Sequence, residues 1–406
     1  MKICQVGTGF VPVLPGVTGG AEKYVHHLSV ALQGRGHEVT LIDMPSYRSS
    51  KVSYKWLEAP VTFRYDFNAV AHALRGLLFG RAAARRLEQL IVANAVELVN
   101  FHSQFTAVTG IPVARRLGIP TVFTMHNPLW SDAAACRSPW QRVKFWLEPR
   151  AERQADAVIG LSHSVMENRI RHFALSPAKV DVIPVGLDDF WFEPKSITPE
   201  VRDRYAANGE PVVLCVGRIA PYKNQLLLAQ ALPHLLAGAH SARLVFVGPS
   251  DSESYLRQVR AAVREASAQE HVIFAGAVPL EELAQLYALA QVVALPSLRE
   301  NCPQALLEAM AQGKAIVAAD IAPLREMLPE GTAVLVPPTE PGALAAALLR
   351  LLIDDRAREQ LGARARRRAS GVYHWEYIAD RVGQVYGRIA AAGRTTVRAQ
   401  RSLVRS

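Results

Sequence analysis

The feature that constrains this chain most is a double change of hydrophobic periodicity between residues 291 and 320. Gln291–Leu295 is a short apolar run typical of a buried strand, and Pro303–Gly313 has the spacing of an amphipathic helix that a glycine ends. Ile316–Ala319 is again a short apolar run. A strand, a helix and a second strand in this order predict a parallel β/α unit.

Two carboxylates frame this predicted helix, because Glu300 lies in the loop before it and Glu308 lies inside it. The first N–H groups of a helix have no intrahelical partner, so a loop at this position can hold phosphates or sugar hydroxyls. The two acids therefore predict a site for an anionic, hydroxyl-rich ligand. The alternative is that both are solvated surface acids, as most glutamates are.

The same alternation of strands and helices fills the rest of the chain in two series. The first series has predicted strands at Lys2–Val6, Glu38–Ile42, Glu97–Asn100, Pro120–Thr124 and Asp156–Leu161. The second series adds Pro211–Val216, Arg243–Val247, His271–Ala275 and Ala333–Val336 to the two strands described above. Two such series predict two parallel sheets of Rossmann type, which is consistent with a cleft enzyme.

Three motifs lie at predicted strand ends or helix starts. Gly19-Gly20 opens the first helix, where glycine either lets the backbone approach a ligand or forms a simple turn. His126 follows one strand, and Arg218 and Lys223 follow another. A histidine can donate hydrogen bonds or transfer protons, and the two cations can bind phosphate oxygens. Taken singly, a lone histidine is usually structural and two loop cations are usually solvated.

Composition and charge limit the classes of partner. The chain has 406 residues and a formal net charge of +10, which favours acidic partners such as nucleotide diphosphates or anionic lipid. No basic tract is interleaved with aromatic residues in the way that an RNA-binding surface would be, so nucleic acid is not a predicted partner. The four cysteines form no CxxC or Cys/His cluster, which predicts reduced thiols in a cytosolic compartment. We find no signal-peptide pattern and no apolar run of ~18 residues.

Three basic stretches also contain apolar or aromatic residues, namely Arg75–Arg86, Trp130–Arg153 and Arg356–Ser370. Each allows a helix with a solvated charged face or a contact with an anionic membrane surface. The solvated face is favoured for the first and third stretches. Trp130–Arg153 equally fits an interfacial segment, an acceptor-site wall or a helix that packs its tryptophans inward.

Together, the motifs resemble those of the retaining GT-B glycosyltransferases of the large family four. The spacing of Glu300 and Glu308 resembles the E-x7-E signature of that family, and VGRIAPYKN at residues 216–224 resembles its VGR…K motif. GGAEKYVHHLSVALQGRGHEVTL, which begins at Gly19, resembles its glycine loop and first helix. TMHN at residues 124–127 resembles its strand-end histidine. The resemblance covers nearly the whole chain.

The resemblance implies a donor site in the second half of the chain. Arg218 and Lys223 would neutralise the donor diphosphate and stabilise it as it leaves, which is electrostatic stabilisation of developing charge. Glu300 would reach the donor sugar, and Glu308 would hold the ribose hydroxyls of the nucleotide. The backbone near Val278 would meet the nucleotide base.

In the first half of the chain, the resemblance implies that His126 contacts the donor sugar near its reacting carbon. It also implies that Gly19 and Gly20 approach the donor diphosphate and sugar. The usual Glu-Gly-Phe-Gly opening of the family is Glu-Asn-Cys-Pro in this chain, so the sugar identity stays open. The remaining donor-binding residues predicted from the resemblance are Asn301, Cys302, Pro303, Gln304 and Ala305.

The implied fold is GT-B, an α/β fold with two Rossmann-like domains whose parallel sheets face each other across a cleft. The predicted N-terminal, acceptor-binding domain is residues 1–188, followed by a linker at 189–210. The predicted nucleotide-sugar-binding domain is residues 211–370. Residues 371–392 would form a helix that crosses back to the first domain, and residues 393–406 a mobile basic tail.

The predicted activity is retaining, metal-independent transfer of a sugar from a nucleotide-diphosphate-sugar to a hydroxyl acceptor in glycan, glycolipid or cell-surface polysaccharide biosynthesis. No cofactor is expected, and the acceptor would be a sugar or a lipid-linked sugar. The predicted location is cytoplasmic, with peripheral attachment to the inner face of the plasma membrane as a hypothesis. Two alternatives stay open: a non-catalytic nucleotide-sugar-binding protein on this fold, and an NAD-dependent oxidoreductase. The second is disfavoured because prolines separate Gly7-Thr8-Gly9 from the first helix.

Overall fold

The computed structural model describes residues 1–13, 19–45, 52–59, 69–126 and 139–403. The chain divides into two compact units. Unit 1 comprises Met1–Gly186 together with Trp375–Ser406, and unit 2 comprises Leu187–His374. Of the segment Trp130–Arg153, residues 130–138 lie outside the described residues, as do residues 14–18 before Gly19 and residue 127 of the TMHN motif.

Within the described residues, unit 1 contains a parallel sheet of seven strands in the order β3-β2-β1-β4-β5-β6-β7. These strands are β1 (Lys2–Val6), β2 (Glu38–Asp43), β3 (Lys55–Glu58), β4 (Leu98–Phe101), β5 (Thr121–Thr124), β6 (Ala157–Gly160) and β7 (Val180–Val182). Most are short runs of buried and mainly apolar residues, as expected for a parallel sheet that is covered on both faces.

The helices of unit 1 connect these strands and cover the sheet. They are α1 (Gly20–Gly34), α2 (Ala69–Val92), α3 (Gln104–Arg116), α4 (Pro139–Gln154) and α5 (His163–Phe173). One hydrophobic core includes Val6 and Phe101 from the strands and Phe79 and Leu87 from α2. The apolar side of α2 is therefore used for packing, as the sequence predicted.

Unit 2 contains a second parallel sheet, which among the described residues has six strands in the order β10-β9-β8-β11-β12-β13. These strands are β8 (Val212–Val216), β9 (Arg243–Val247), β10 (Val272–Gly276), β11 (Val292–Leu295), β12 (Ala315–Ala319) and β13 (Val334–Val336). The prediction of an α/β chain with two Rossmann-like parallel sheets is confirmed.

The helices of unit 2 are α6 (Pro199–Ala206), α7 (Gln225–Gly238), α8 (Glu253–Glu265), α9 (Leu280–Leu289), α10 (Gln304–Ala311), α11 (Ala322–Met327), α12 (Pro341–Ile353) and α13 (Asp355–Val372). In each sheet the strand order reverses once, between β1 and β4 in unit 1 and between β8 and β11 in unit 2. Ligands of open α/β sheets bind beside the carboxyl ends of the strands at this point. We therefore expect ligand-binding residues in the loops after these four strands.

The segment 189–210, predicted as a linker, contains helix α6 and a short 3-10 helix at Asp189–Trp191. Thr198 caps α6 by accepting a hydrogen bond from the N–H of Val201. Tyr205 on α6 donates to Glu282 on α9 at 2.6 Å. This part of the chain is therefore packed into unit 2.

Helix α14 (Trp375–Leu403) belongs to unit 1. It is attached there by Arg388, which donates to Asp181 on β7, and by Asp380, which accepts from Arg35 after α1. The helix extends through Leu403. The mobility of residues 393–406 stays a prediction.

The basic stretch Arg356–Ser370 lies within α13, where Arg356, Arg364 and Arg367 are exposed as the sequence favoured, but several of its arginines also bond to other segments. Arg358 donates to two carbonyl oxygens at the end of α12, and Arg364 and Arg368 donate to carbonyls of Gly331 and Met327. Arg366 donates to the carbonyl of Phe192. These guanidinium groups therefore link α13 to other chain segments of unit 2.

In the described part of Trp130–Arg153, Trp146 is exposed by 63%, whereas Glu148 and Glu152 are buried and pair with Arg169 of α5. The alternative in which the tryptophans pack inward therefore does not hold for Trp146. No helix among the described residues is long and apolar enough to cross a membrane.

Candidate functional site

The loops that follow β8 and β11 are held together by hydrogen bonds to backbone groups at the carboxyl edge of the second sheet. Asn224 has a left-handed backbone conformation, and its side-chain amide donates to the carbonyls of Pro296 and Pro338 at 3.1 and 2.9 Å. The N–H of Leu298 donates to the carbonyl of Tyr222 at 2.8 Å. These bonds fix the position of the β8 loop relative to the loop that carries Glu300.

Two glycines allow the loops after β8 and β9 to approach each other. Gly217 and Gly248 have φ values of +146° and +137°, which residues other than glycine rarely adopt. A Cβ atom on Gly248 would lie 2.3 Å from the carbonyl oxygen of Gly217. The backbone conformation at Gly217 therefore requires the glycine of the VGR motif, independently of any role in ligand binding.

Lys223 and Glu300 form an ion pair, with 2.6 Å between Nζ and Oε1. The side chain of Glu300 is 7% exposed and that of Lys223 is 17% exposed, so the pair is largely shielded from water. Within the pair the charge of Lys223 is balanced by Glu300, so an anion that binds to Lys223 would compete with this carboxylate, in surroundings where water screens charges only weakly. The structure thus brings together two of the predicted catalytic residues.

Arg218 lies on the same loop but is 57% exposed. Its guanidinium group pairs with Asp251, which follows β9, at 3.0 Å, and donates to the hydroxyl of Tyr222 at 3.0 Å. Asp251 was not selected from the sequence. An anion that binds to Arg218 would compete with this carboxylate.

Glu308 is buried in α10, where it accepts a hydrogen bond from the hydroxyl of Tyr287 on α9 at 2.9 Å. Burial, and then the charge of Glu308, raise the pKa of Tyr287 well above its ordinary value, so the tyrosine stays a donor. Helix α10 begins directly after Pro303, which acts as its N-cap. The helix start and Glu308 therefore lie within two turns of the same helix.

The remaining predicted donor-binding residues lie close to these elements. Asn301, Gln304 and Ala305 are partly buried, and Cys302 and Pro303 are buried, all at the start of α10. Val278 is partly buried between β10 and α9. The structure positions these residues at the carboxyl edge of the second sheet, and their roles toward a donor stay predictions.

His126 lies in unit 1, directly beyond β5. Its Nε2 is 3.0 Å from Nδ1 of His102, which follows β4, and its ring meets that of Tyr24 at 4.9 Å between centroids. Burial lowers the pKa of His126 to about 3, so the ring is neutral near pH 7. His126 is therefore suited to hydrogen bonding rather than to carrying a positive charge.

Gly19 and Gly20 begin α1, with Gly19 as the N-cap. A Cβ atom on Gly19 would lie 1.9 Å from a carboxylate oxygen of Glu22, whereas one on Gly20 would meet nothing within 4 Å. Glu22 is buried and accepts a hydrogen bond from Thr8. A side chain at Gly19 would therefore displace the carboxylate of Glu22 that accepts from Thr8, and the structure shows no such conflict at Gly20.

In the described ranges, no group of three or more His, Cys, Asp or Glu residues is arranged to hold a metal ion. The metal-independent reaction stays a prediction.

Two doubly wound parallel units of this kind define the GT-B class of fold. A family model described as Glycosyltransferase Family 4 matches residues 18–189, and one described as Glycosyl transferases group 1 matches residues 198–368. Sucrose-phosphate synthase from Thermosynechococcus elongatus shares the fold with a TM-score of 0.78 at 24% identity, and the match covers 96% of this chain and 99% of that chain.

Curated relatives match over nearly the full length. D-inositol 3-phosphate glycosyltransferase of Kineococcus radiotolerans is 31% identical, over 95% of this chain and 92% of its own length. The GDP-mannose-dependent alpha-(1-6)-phosphatidylinositol monomannoside mannosyltransferase of Mycolicibacterium smegmatis is 27% identical, over 90% and 94%. The chain therefore belongs to the group 1 glycosyltransferases of family four, and the predicted resemblance is confirmed.

Several residues that the structure connects to the site were missed in the sequence. Tyr287 lies in an apolar helical run and Asp251 in a serine-rich turn, so neither stood out from its surroundings. His102 follows an apolar strand, as His126 does, and that shared position at the carboxyl ends of β4 and β5 could have identified it.

Proposed function

We propose that this glycosyltransferase binds a nucleoside-diphosphate-sugar at the carboxyl edge of the second sheet and transfers the sugar with retention of configuration. The observation that carries the proposal is the shielded ion pair between Lys223 and Glu300 at the switch point between β8 and β11. A cation and a carboxylate in this position suit a ligand that has a diphosphate next to hydroxyl groups.

The proposed roles follow the chemistry of each group. Lys223 and Arg218 bind the diphosphate, and Glu300 and Glu308 accept hydrogen bonds from sugar and ribose hydroxyls respectively. As the bond between the anomeric carbon and the diphosphate oxygen breaks, negative charge grows on the leaving group and Lys223 stabilises it. The acceptor hydroxyl attacks from the same face, and its proton passes to the leaving diphosphate. His126 is proposed to hydrogen-bond to the sugar.

The relatives support a nucleotide-sugar donor and indicate candidates for it. One is named as GDP-mannose-dependent and as a mannosyltransferase, and another as an inositol phosphate glycosyltransferase. We propose a hexose donor of this kind, with a glycan or glycolipid acceptor. Contact with an anionic membrane surface and a cytoplasmic location stay predictions.

A thermal-shift panel tests the donor class. The panel contains GDP-mannose, UDP-glucose, ADP-glucose, the three free nucleoside diphosphates and NAD. We expect one nucleotide-sugar and the corresponding free nucleoside diphosphate to raise the midpoint temperature of unfolding. A ligand present at 100 times its Kd stabilises the folded state by about 2.7 kcal/mol. Stabilisation by NAD alone, or by no member of the panel, would contradict the proposal.

Product analysis separates an enzyme from a binding protein. The selected donor is incubated with simple sugar and inositol acceptors, and the anomeric configuration of the product is read by proton NMR. Retention is expected. An inverted product would overturn the retaining mechanism, and binding without transfer to any acceptor would favour the non-catalytic alternative.

The substitution Tyr287→Phe tests whether the Tyr287 hydroxyl holds the carboxylate of Glu308 in position. Loss of the hydroxyl removes one hydrogen bond to a buried carboxylate, so we expect the KM for the donor to rise about 3- to 10-fold with kcat within about twofold. The matched control is Tyr205→Phe, which removes a comparable bond to Glu282 elsewhere in unit 2. Equal effects of both variants on KM would mean that Tyr287 acts on stability only.

A further inference from the structure

A chain of buried polar side chains runs through unit 1 and ends at His126. Asn100 on β4 donates through Nδ2 to the hydroxyl of Tyr386 at 2.7 Å. Gln5 on β1 donates through Nε2 to the same hydroxyl at 3.3 Å. Gln5 Oε1 lies 2.7 Å from Nε2 of His102, and Nδ1 of His102 lies 3.0 Å from Nε2 of His126.

The members of this chain come from separate elements, and most are inaccessible to water. Gln5, Asn100 and Tyr386 are 0% exposed and His102 is 4% exposed. Breaking one hydrogen bond would leave a buried polar group without its partner, which costs about 1–3 kcal/mol. The chain is therefore held as a unit.

The direction of each bond determines where the protons lie. Since Gln5 donates its amide to Tyr386, its carbonyl oxygen faces His102 and accepts a hydrogen bond from Nε2–H. A neutral histidine has one N–H, so Nδ1 of His102 is an acceptor. With the Gln5 amide in this orientation, the hydrogen bond between the two rings is donated by Nε2–H of His126.

Two further observations support neutral rings in fixed positions. Burial lowers the pKa of His102 well below its ordinary value and that of His126 to about 3. The ring of His126 is also held by Tyr24, which in turn meets Trp375 of α14 at 5.3 Å between ring centroids.

We propose that Tyr386, Gln5 and His102 are positioning residues that hold His126 in a single neutral tautomer, with the proton on Nε2. In this tautomer Nδ1 of His126 carries the lone pair and can accept a hydrogen bond from a hydroxyl. The importance of this for catalysis rests on the proposed function of His126 toward a sugar. The C-terminal helix thereby contributes to the site through Tyr386, which is far from it in sequence.

The tautomer is measured directly by nitrogen-15 NMR of protein labelled at histidine, with the His126 signals assigned by their loss in His126→Gln. We expect wild-type His126 to be protonated on Nε2. Tyr386→Phe should free the Gln5 amide to rotate and give mixed tautomers at His102 and His126. The control is Tyr54→Phe, which removes a tyrosine hydroxyl bonded to His26 in the same unit and should leave both signals unchanged.

Two substitutions of Gln5 separate positioning from a structural role. Gln5→Glu keeps an oxygen that accepts from His102, whereas Gln5→Met removes it and keeps the size. We expect Gln5→Met to lower kcat about 10-fold or more, with the donor KM within about threefold, and Gln5→Glu to restore most of kcat. A purely structural role predicts the reverse order, because a buried carboxylate destabilises the fold more than methionine does.

Protonation of His126 on Nδ1, or unchanged signals in Tyr386→Phe, would overturn the inference. The NMR measurement needs no substrate, so its outcome is independent of the proposed function. A correct tautomer in a protein that transfers no sugar would refute the function and leave the positioning chain intact.

Discussion

Lys223→Ala is expected to lower kcat for sugar transfer about 100-fold or more, which is typical when one preorganised stabiliser of a leaving oxyanion is removed. The reason is geometric. Lys223 is the shielded cation at the carboxyl edge of the second sheet, and its partner Glu300 is 7% exposed. The rate is measured with the nucleotide-sugar that the thermal-shift panel selects, and the Kd of the free diphosphate is measured alongside it.

The substitution also leaves Glu300 without its cation, so two comparisons are needed. Lys223→Arg retains the charge and should recover part of the rate. Arg204→Ala breaks another ion pair of unit 2, that between Arg204 and Glu282, and should leave kcat within about twofold. An equal loss in Arg204→Ala, or full activity in Lys223→Ala, would remove Lys223 from the proposed mechanism.

Asp43→Asn is expected to make the protein more stable than wild type at pH 8 but not at pH 4. Asp43 is fully buried at the end of β2, and burial raises its pKa to about 7, with the charge of Glu22 acting in the same direction. The folded state therefore binds the proton more tightly than the unfolded state. Between about pH 4 and about pH 7 the wild type loses stability as the pH rises, whereas the amide that replaces the carboxyl group in the variant does not titrate.

The difference between the ordinary pKa of 3.8 and the pKa of about 7 in the folded protein corresponds to about 4 kcal/mol of unfolding free energy, which is lost once Asp43 is fully ionised. The measurement is the difference in unfolding free energy between variant and wild type, determined by denaturant titration at several pH values. Asp380→Asn is the control with the opposite slope, because Arg35 lowers the pKa of that exposed carboxyl. A flat difference curve for Asp43→Asn from pH 4 to pH 8 would contradict the prediction.

The local sequence pattern was sufficient to predict those strands and helices whose positions depend on hydrophobic periodicity. Most strands of both sheets and the helix at Gln304–Ala311 followed from short apolar runs and from the residues that end them, whereas β3 and β7 were not among the predicted strands. The basic segment in α13 shows where this approach fails. A run of arginines looks like a solvated face in sequence, yet several of them bind carbonyl groups from distant segments of unit 2. No periodicity within the helix encodes the position of those carbonyls.

The residues of the candidate site also differ in whether the sequence alone could identify them. Glu300, Glu308, Arg218 and Lys223 could be selected because their spacing resembles motifs of family four, although each of them taken singly has the pattern of a solvated charge. Tyr287, which supports Glu308, could not be selected because it lies in a helix of mostly apolar residues. Side chains of this kind acquire their role only from the contact that they make.

By itself, the sequence determined that this chain forms two parallel α/β units and that the second contains a helix with Glu300 before it and Glu308 inside it. These features follow from hydrophobic periodicity and glycine positions, which act over a few residues. The tertiary structure decided that Glu300 pairs with Lys223 and that Tyr386 reaches Gln5, which in turn contacts the partner of His126. Those partners are far apart in the chain, and only the packing of the strands and helices brings their atoms within hydrogen-bonding distance.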